Sequence, residues 1–252
     1  MKKISEKVYW KLLLAVFKIK RIVSNLLSAR RLDFDGAHII IRTNNVREFQ
    51  TRANSCEKEP ETCAWLKKHI KEGVVLYDIG ANIGAYALIG GALGGSVYAF
   101  EPSPENYATL QENVRSNNLV DSVFPVPVVL TDRAGLSKFS FDEFTSGATA
   151  GFSQRGKGKV EVSLPSITLD GCIEAFNLPT PHAMKIDVDG AEAEVLSGAK
   201  KLLKENNLTN LLIEVEDELL DEVVSTLDAV GFEEVDRFVR HKGVYNIVFT
   251  RP

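Results

Sequence analysis

Three short segments hold residue types at spacings that could do chemistry. The first is Asp78-Ile79-Gly80-Ala81-Asn82-Ile83-Gly84, which follows an apolar run and opens a small-residue one. Glycines at 80 and 84 let a ligand approach the backbone, and the helix behind them aims unpaired N–H groups at it. A dinucleotide fingerprint would want glycine at 80, 82 and 85, where this chain has Asn82 and Ala85. No Gly-Lys-Ser/Thr follows to make a phosphate loop. The second segment is Glu101-Pro102-Ser103-Pro104, with Glu101 placed 23 residues after Asp78. A carboxylate there can accept hydrogen bonds from a ribose diol, each worth about 1.5–3 kcal/mol. The prolines stiffen the loop beside it. Together these two segments point to an adenosine-type cofactor. The third is Lys185-Ile186-Asp187-Val188-Asp189-Gly190-Ala191-Glu192. On a regular strand Lys185 and Asp187 share one face, so the lysine keeps the aspartate ionised.

These segments need a scaffold that brings them together, and the hydropathy pattern supplies one. Residues 74–78, 96–100, 123–130, 184–188 and 211–215 read as buried strands, and 83–93, 105–116, 193–204 and 218–230 as the helices between and after them. Runs at 232–238 and 244–250 close the chain as neighbouring strands. Alternation of this kind predicts an α/β fold whose mostly parallel sheet is covered by helices on both faces. Ligands then bind beyond the carboxyl ends of the strands, where four of the five strand ends carry acids. Two β-like runs, 136–141 and 160–164, break the rhythm around a loop at 145–159 that could serve as a lid. Upstream, 33–52 reads as a small β-hairpin turning at Asn44-Asn45, and Glu59-Pro60-Glu61 starts a helix. The predicted organisation is a basic helix over 1–31, a β extension over 32–58 and a catalytic domain over 59–252.

The chain has 252 residues, 44% apolar and 25% charged, an ordinary globular composition that excludes disordered and low-complexity classes. Cys56, Cys63 and Cys172 make neither a disulfide framework nor a zinc spacing, and a reducing cytoplasmic compartment is expected. His182 and His241 read as surface or turn residues. The net charge of −4 conceals an asymmetry. Residues 1–31 carry +8 and the remainder −12, so the body is not expected to bind nucleic acid. Leu12, Val16, Ile19, Val23, Leu26 and Leu27 recur at helical spacing, with Lys11, Lys18, Lys20 and Arg21 on much of the rest. That amphipathic helix either packs on the body or on a second subunit, giving a homodimer, or lies on an anionic membrane surface.

The three segments, followed by Val195-Leu196-Ser197-Gly198, resemble the FkbM family of S-adenosylmethionine-dependent methyltransferases over roughly residues 60–215. The resemblance implies a seven-stranded class I methyltransferase (Rossmann-like) sheet with a reversed last strand. It implies O-methylation of a hydroxyl on a sugar, glycan or polyketide-like acceptor. Asp78 would hold the amino-acid end of S-adenosyl-L-methionine, while Gly80, Asn82 and Gly84 let the backbone pass close. Glu101, with Pro102 and Ser103 beside it, would take the ribose, and Asp132 the adenine amino group. Asp187 would act as base or orient the acceptor, with Lys185 and Glu214 as its catalytic neighbours. Asp189 stands where the family usually has glutamate. The family's hydroxyl loop is here Ser146-Gly147-Ala148-Thr149, which leaves Thr149 for any hydroxyl role.

A positioned base contributes about 10²- to 10⁴-fold to a transfer of this kind. Asp187, Glu214 and Glu216 also raise a divalent cation as an option, but their spacing matches no metal motif and no resident metal is predicted. Two other functional classes remain: a nicotinamide-dependent oxidoreductase on a similar sheet, and a cofactor-binding module without catalysis.

Overall fold

The computed structural model describes residues 6–43, 50–141, 150–152 and 160–251. Helix α1 (Glu6–Ser28) leads into strand β1 (Ala29–Arg31), which pairs antiparallel with β2 (Ile40–Arg42). This small sheet differs from the expected hairpin. The strand around 40 pairs backward in sequence, and Gln50 and Thr51, expected to be extended, are helical. The proposed turn at Asn44-Asn45 lies outside the described residues. Asp33 then caps α2 (Ser55–Lys58), accepting the N–H groups of Cys56 at 3.0 Å and Glu57 at 2.6 Å. Helix α3 (Pro60–His69) begins on a proline, whose missing N–H costs nothing in a first turn.

The main sheet follows. Its strands are β3 (Val75–Ile79), β4 (Ser96–Phe100), β5 (Val123–Val126), β10 (Ala183–Ile186), β11 (Asn210–Glu216), β12 (Glu233–His241) and β13 (Val244–Thr250). They lie in the order β12-β13-β11-β10-β3-β4-β5, parallel except for β13, which runs antiparallel to both neighbours. Helices α4 (Ala85–Ala92) and α5 (Pro104–Ser116) join α3 on one face, whose core includes Leu66, Leu88 and Leu110. Helices α6 (Leu169–Phe176), α7 (Glu192–Ser197) and α8 (Leu220–Asp228) cover the other, around Tyr77, Met184, Leu196 and Leu227. The central strands β3 and β10 are almost wholly buried, as their apolar runs require.

Three sequence expectations change here. The strand expected over 123–130 ends at Val126, because Pro127 offers no N–H to continue the ladder. Val129–Leu130 (β6) instead joins a second sheet of order β6-β9-β7-β8, with β7 Gly135–Phe141, β8 Ala150–Phe152 and β9 Val160–Ile167. The two β-like runs are thus antiparallel partners. The helix expected over 193–204 breaks at Gly198, where an added Cβ would stand 2.2 Å from the Thr131 carbonyl oxygen. Helix α6 has no counterpart in the sequence reading. Thr168 caps it by accepting the Gly171 N–H at 3.0 Å, and Asn177 ends it with φ 51°. Most of the suggested lid, 145–149 and 153–159, lies outside the described residues, and Thr149 with it.

Candidate active site

A cleft opens beyond the carboxyl ends of β3, β4, β10 and β11, the usual ligand position in such a sheet. Its floor is Ile79, Gly80 and Asn82 after β3, and Phe100, Glu101 and Pro102 after β4. Val128, Val129 and Leu130 form an apolar wall, and Asp187, Asp189 and Glu214 face it.

The turn after β3 is shaped by close approach as much as by ligand access. Gly80 has φ 82°, and a Cβ there would lie 1.8 Å from the Asp187 carbonyl oxygen. Only glycine lets the β3 and β10 turns meet. Gly84 has φ 95° but faces Leu110, whose Cδ1 would be 2.4 Å from an added Cβ. It seats α4 against α5 and does not line the cleft. Asn82 does line it, in the left-handed region at φ 51°, with its side chain accepting the Ile83 N–H.

Glu101 is buried and ties this turn to the next. Oε2 accepts the Asn82 N–H at 2.8 Å, and Oε1 accepts the Ser103 N–H at 2.8 Å and Asn106 Nδ2 at 3.3 Å. Burial pushes its carboxyl up to about 7 against the pull of those donors. A carboxylate has about four acceptor positions. Oε2 therefore has room for one ribose hydroxyl and Oε1 is filled, where the sequence reading gave the pair to a diol. Ser103 caps α5, its Oγ accepting the Asn106 N–H, and stays behind the cleft. Asp132 also lies outside it. Its carboxylate accepts from Thr131 Oγ1 at 3.1 Å and is largely exposed. The cleft wall beside Glu101 is made by Val128–Leu130, with Asp132 outside it.

Below the turns sits a buried charge cluster. Lys185 Nζ is 2.9 Å from Asp187 Oδ2 and 3.8 Å from Asp78 Oδ1, and stands 5.1 Å from the Tyr86 ring centroid. Asp78 is 1% exposed and lines neither the cleft nor the recess beneath it. It sits below the turn, with both carboxylate oxygens lacking a hydrogen-bond partner. Burial raises its pKa, with the ammonium opposing. At Asp187 burial also pushes upward, but Lys185 prevails and holds the carboxyl below its ordinary value.

Three acids crowd the open side. Asp187, Asp189 and Glu214 each place an oxygen within 4.8 Å of the others, so Asp189 takes the place that sequence spacing gave Glu216. Burial first, then repulsion from Asp187, raises Asp189 to about 7 and Glu214 to about 8. Glu192 braces the loop by accepting the Val188 and Gly190 N–H groups at 3.3 and 3.2 Å.

The extension contributes what sequence reasoning missed. Arg52, Lys58 and Glu59 all line the cleft. Glu59 is held by Arg240 from β12, with Nη2 to Oε1 at 2.8 Å, and Arg240 also meets Glu61 at 3.3 Å and Glu214 at 3.6 Å. No local pattern marks these residues. The one available signal was the concentration of charge around Arg52, Lys58 and Glu59 just before the first strand.

A seven-stranded sheet with one reversed strand, and a cleft combining a glycine turn with an acid after the second strand, define a Rossmann-like class I methyltransferase. The chain belongs to the methyltransferase FkbM domain family, whose model matches residues 78–243. It is 30% identical over 156 residues to the hexuronic acid methyltransferase AglP of Haloferax volcanii, covering 62% of each chain. It is 26% identical over 195 residues to the 31-O-demethyl-FK506 methyltransferase FkbM of Streptomyces tacrolimicus, covering 65% of this chain and 74% of that one. Among solved structures, SMU.1697c of Streptococcus mutans, in complex with SAH, shares the fold with a TM-score of 0.51 at 13% identity. That superposition covers 77% of this chain and 97% of the other. The cofactor is therefore S-adenosylmethionine, and the nicotinamide alternative is set aside. The residues fit that group: Glu101 keeps one open acceptor position, the wall beside it is apolar, and Arg52 brings a guanidinium whose buried Nε meets no acceptor.

Proposed function

We propose that the protein methylates a hydroxyl group of a sugar acid or of a glycan carrying one. The single observation behind this reading is the 30% identity to a hexuronic acid methyltransferase, with the cleft's mixed charge in support. Lys58 and Arg52 border the same opening as Asp187, Asp189 and Glu214, so it offers cations to an acidic sugar and acceptors to its hydroxyls.

Bound S-adenosylmethionine supplies an electrophilic methyl group on a sulfonium. The protein's part is to position, to exclude water and to take a proton. Val128–Leu130 and Phe100 keep one wall dry. Asp187, kept ionised by Lys185, accepts a hydrogen bond from the acceptor and orients it. Glu214, raised to about 8, is better matched than Asp187 to remove the hydroxyl proton near neutral pH. This moves the base role from Asp187 to its neighbour. The test is methyl transfer from labelled S-adenosylmethionine to glucuronic or galacturonic acid and to the matching neutral hexoses. Transfer to uronic acids alone supports the reading, whereas equal transfer to neutral sugars, or none to any sugar, removes it.

We also infer that α1 seats the enzyme on an anionic membrane surface. Its apolar side chains are uncovered by the body: Trp10 is 55% exposed, Leu12 54%, Phe17 61% and Ile19 61%. This exposure favours a surface outside the chain over packing on the body. Lys7, Lys11 and Lys18 lie between the Trp10–Phe17 and Leu12–Ile19 stripes of the helix, and a segment of charge +8 ahead of an acidic body suits anionic lipid better than a second copy. No helix among the described residues is long and apolar enough to cross a membrane. The full chain should float with phosphatidylglycerol vesicles and not with phosphatidylcholine ones, and Trp10→Glu with Phe17→Glu should abolish flotation. Equal behaviour on both vesicles, or an oligomer that Trp10→Glu with Phe17→Glu dissociates, would replace this with the subunit-contact reading.

A further inference from the structure

We propose that Arg52, from the extension preceding the first sheet strand, binds the amino-acid carboxylate of S-adenosylmethionine. The proposal rests on the methyltransferase reading and adds a residue that lies outside the matched stretch 78–243.

The cofactor's two ends differ in chemistry, and so do the two ends of the cleft. Glu101 and the apolar Val128–Leu130 wall suit the nucleoside. At the other end the Gly80–Asn82 turn borders a smaller recess that also contains Arg52, Tyr86 and Lys185. Arg52 lines both spaces, so it sits where a chain running from ribose toward the β3 turn would end.

A carboxylate entering this site meets Glu59, Glu101, Asp187, Asp189 and Glu214, and needs a cation to settle there. Three cations border the two spaces. Lys185 is 2% exposed and already committed to Asp187 and Asp78. Lys58 lies 3.5 Å from Glu59 with its side chain half exposed. Arg52 is half-buried, its Nε is shut off from solvent, and that nitrogen meets no acceptor. An orphaned guanidinium nitrogen in a cleft is costly unless a ligand completes it. The planar fork of arginine matches a carboxylate with two parallel bonds. Its charge is already felt by the Glu101, Asp187 and Asp189 carboxyls, which places it centrally between the two ends. Asp78, the sequence's candidate for the amino-acid end, is buried beneath the turn and does not reach this space.

Calorimetry with two ligands tests the proposal without any acceptor. S-adenosylhomocysteine carries the amino-acid tail, and 5′-methylthioadenosine has the same nucleoside and sulfur without it. Arg52→Gln should weaken S-adenosylhomocysteine binding about 10- to 100-fold and leave 5′-methylthioadenosine binding unchanged, with Arg52→Lys recovering part of the loss. Unchanged binding of both ligands by Arg52→Gln would overturn the assignment in favour of an acceptor contact. An equal loss for both would overturn it in favour of a purely structural role. If the unmodified protein takes up neither ligand, the cofactor assignment itself falls.

Discussion

Lys185 and Asp187 stand two residues apart at the end of β10 with a 2.9 Å contact, yet the lysine is 2% exposed while the aspartate opens onto the cleft. The pair thus connects a sealed interior to a reactive surface. Lys185 also faces Asp78 across the β3–β10 register, where the two residues are direct strand partners. One ammonium therefore holds two carboxylates, and the strand pairing enforces the arrangement.

Removing that ammonium should be severe. Lys185→Met leaves the buried Asp78 carboxylate without a counter-charge and Asp187 without its partner, and breaking such a group costs about 3–5 kcal/mol. Urea unfolding should show the loss, and adding Asp78→Asn should restore part of it by removing one orphaned charge. A single variant as stable as the parent would contradict this account of the cluster.

Two glycines at positive φ should respond differently. Gly80→Ala would place its Cβ against the Asp187 carbonyl, so it should prevent the two turns from meeting and abolish cofactor binding. Gly190 has φ 97° with open space around it, and Gly190→Ala should cost only the backbone strain, about 1–2 kcal/mol. Thermal melts of both variants check the order, and similar melting temperatures would refute it.

Glu101→Ala removes one cofactor acceptor and strands the Asn82 and Ser103 N–H groups. S-adenosylhomocysteine affinity should fall by about 2–4 kcal/mol, measured by calorimetry. Parent-like affinity would mean that the ribose lies elsewhere.

Stability should decline as pH rises through neutrality. Glu101 and Glu192 are raised to about 7 and Glu214 to about 8, mainly by burial. A carboxyl that holds its proton more tightly when folded stabilises the protein at low pH and loses that contribution as pH climbs to its folded value. Asp187 is shifted the other way, so its contribution is lost on the acid side. Tm should therefore fall between about pH 5 and pH 8, and Glu214→Gln should flatten the slope. A Tm that rises over this window would reverse the sign argued here. In the same variant the rise of kcat/KM with pH near 8 should vanish if Glu214 is the base.

The alternating apolar runs, the glycine turn at 80–84, Glu101 and the Lys185–Glu192 segment were enough to define a mostly parallel sheet and an adenosine-type cofactor, while the reversed last strand and S-adenosylmethionine were implied by the family resemblance those segments carry. Those features are local, because a buried parallel strand and a tight turn each write their demands into neighbouring residues. What the sequence could not decide was which side chains converge. Gly84 and Ser103 serve helix seating and capping, and Asp132 lies outside the cleft, although each sits in the right motif. Asp189 displaces Glu216 because its backbone adopts φ 54° at the turn, which no spacing rule reveals. Arg52, Glu59 and Arg240 meet from chain positions far apart, and their meeting depends on how the extension and β12 fold over the cleft. Long-range electrostatics of that kind belongs to the tertiary structure, since pattern along the chain carries only what each element needs for itself.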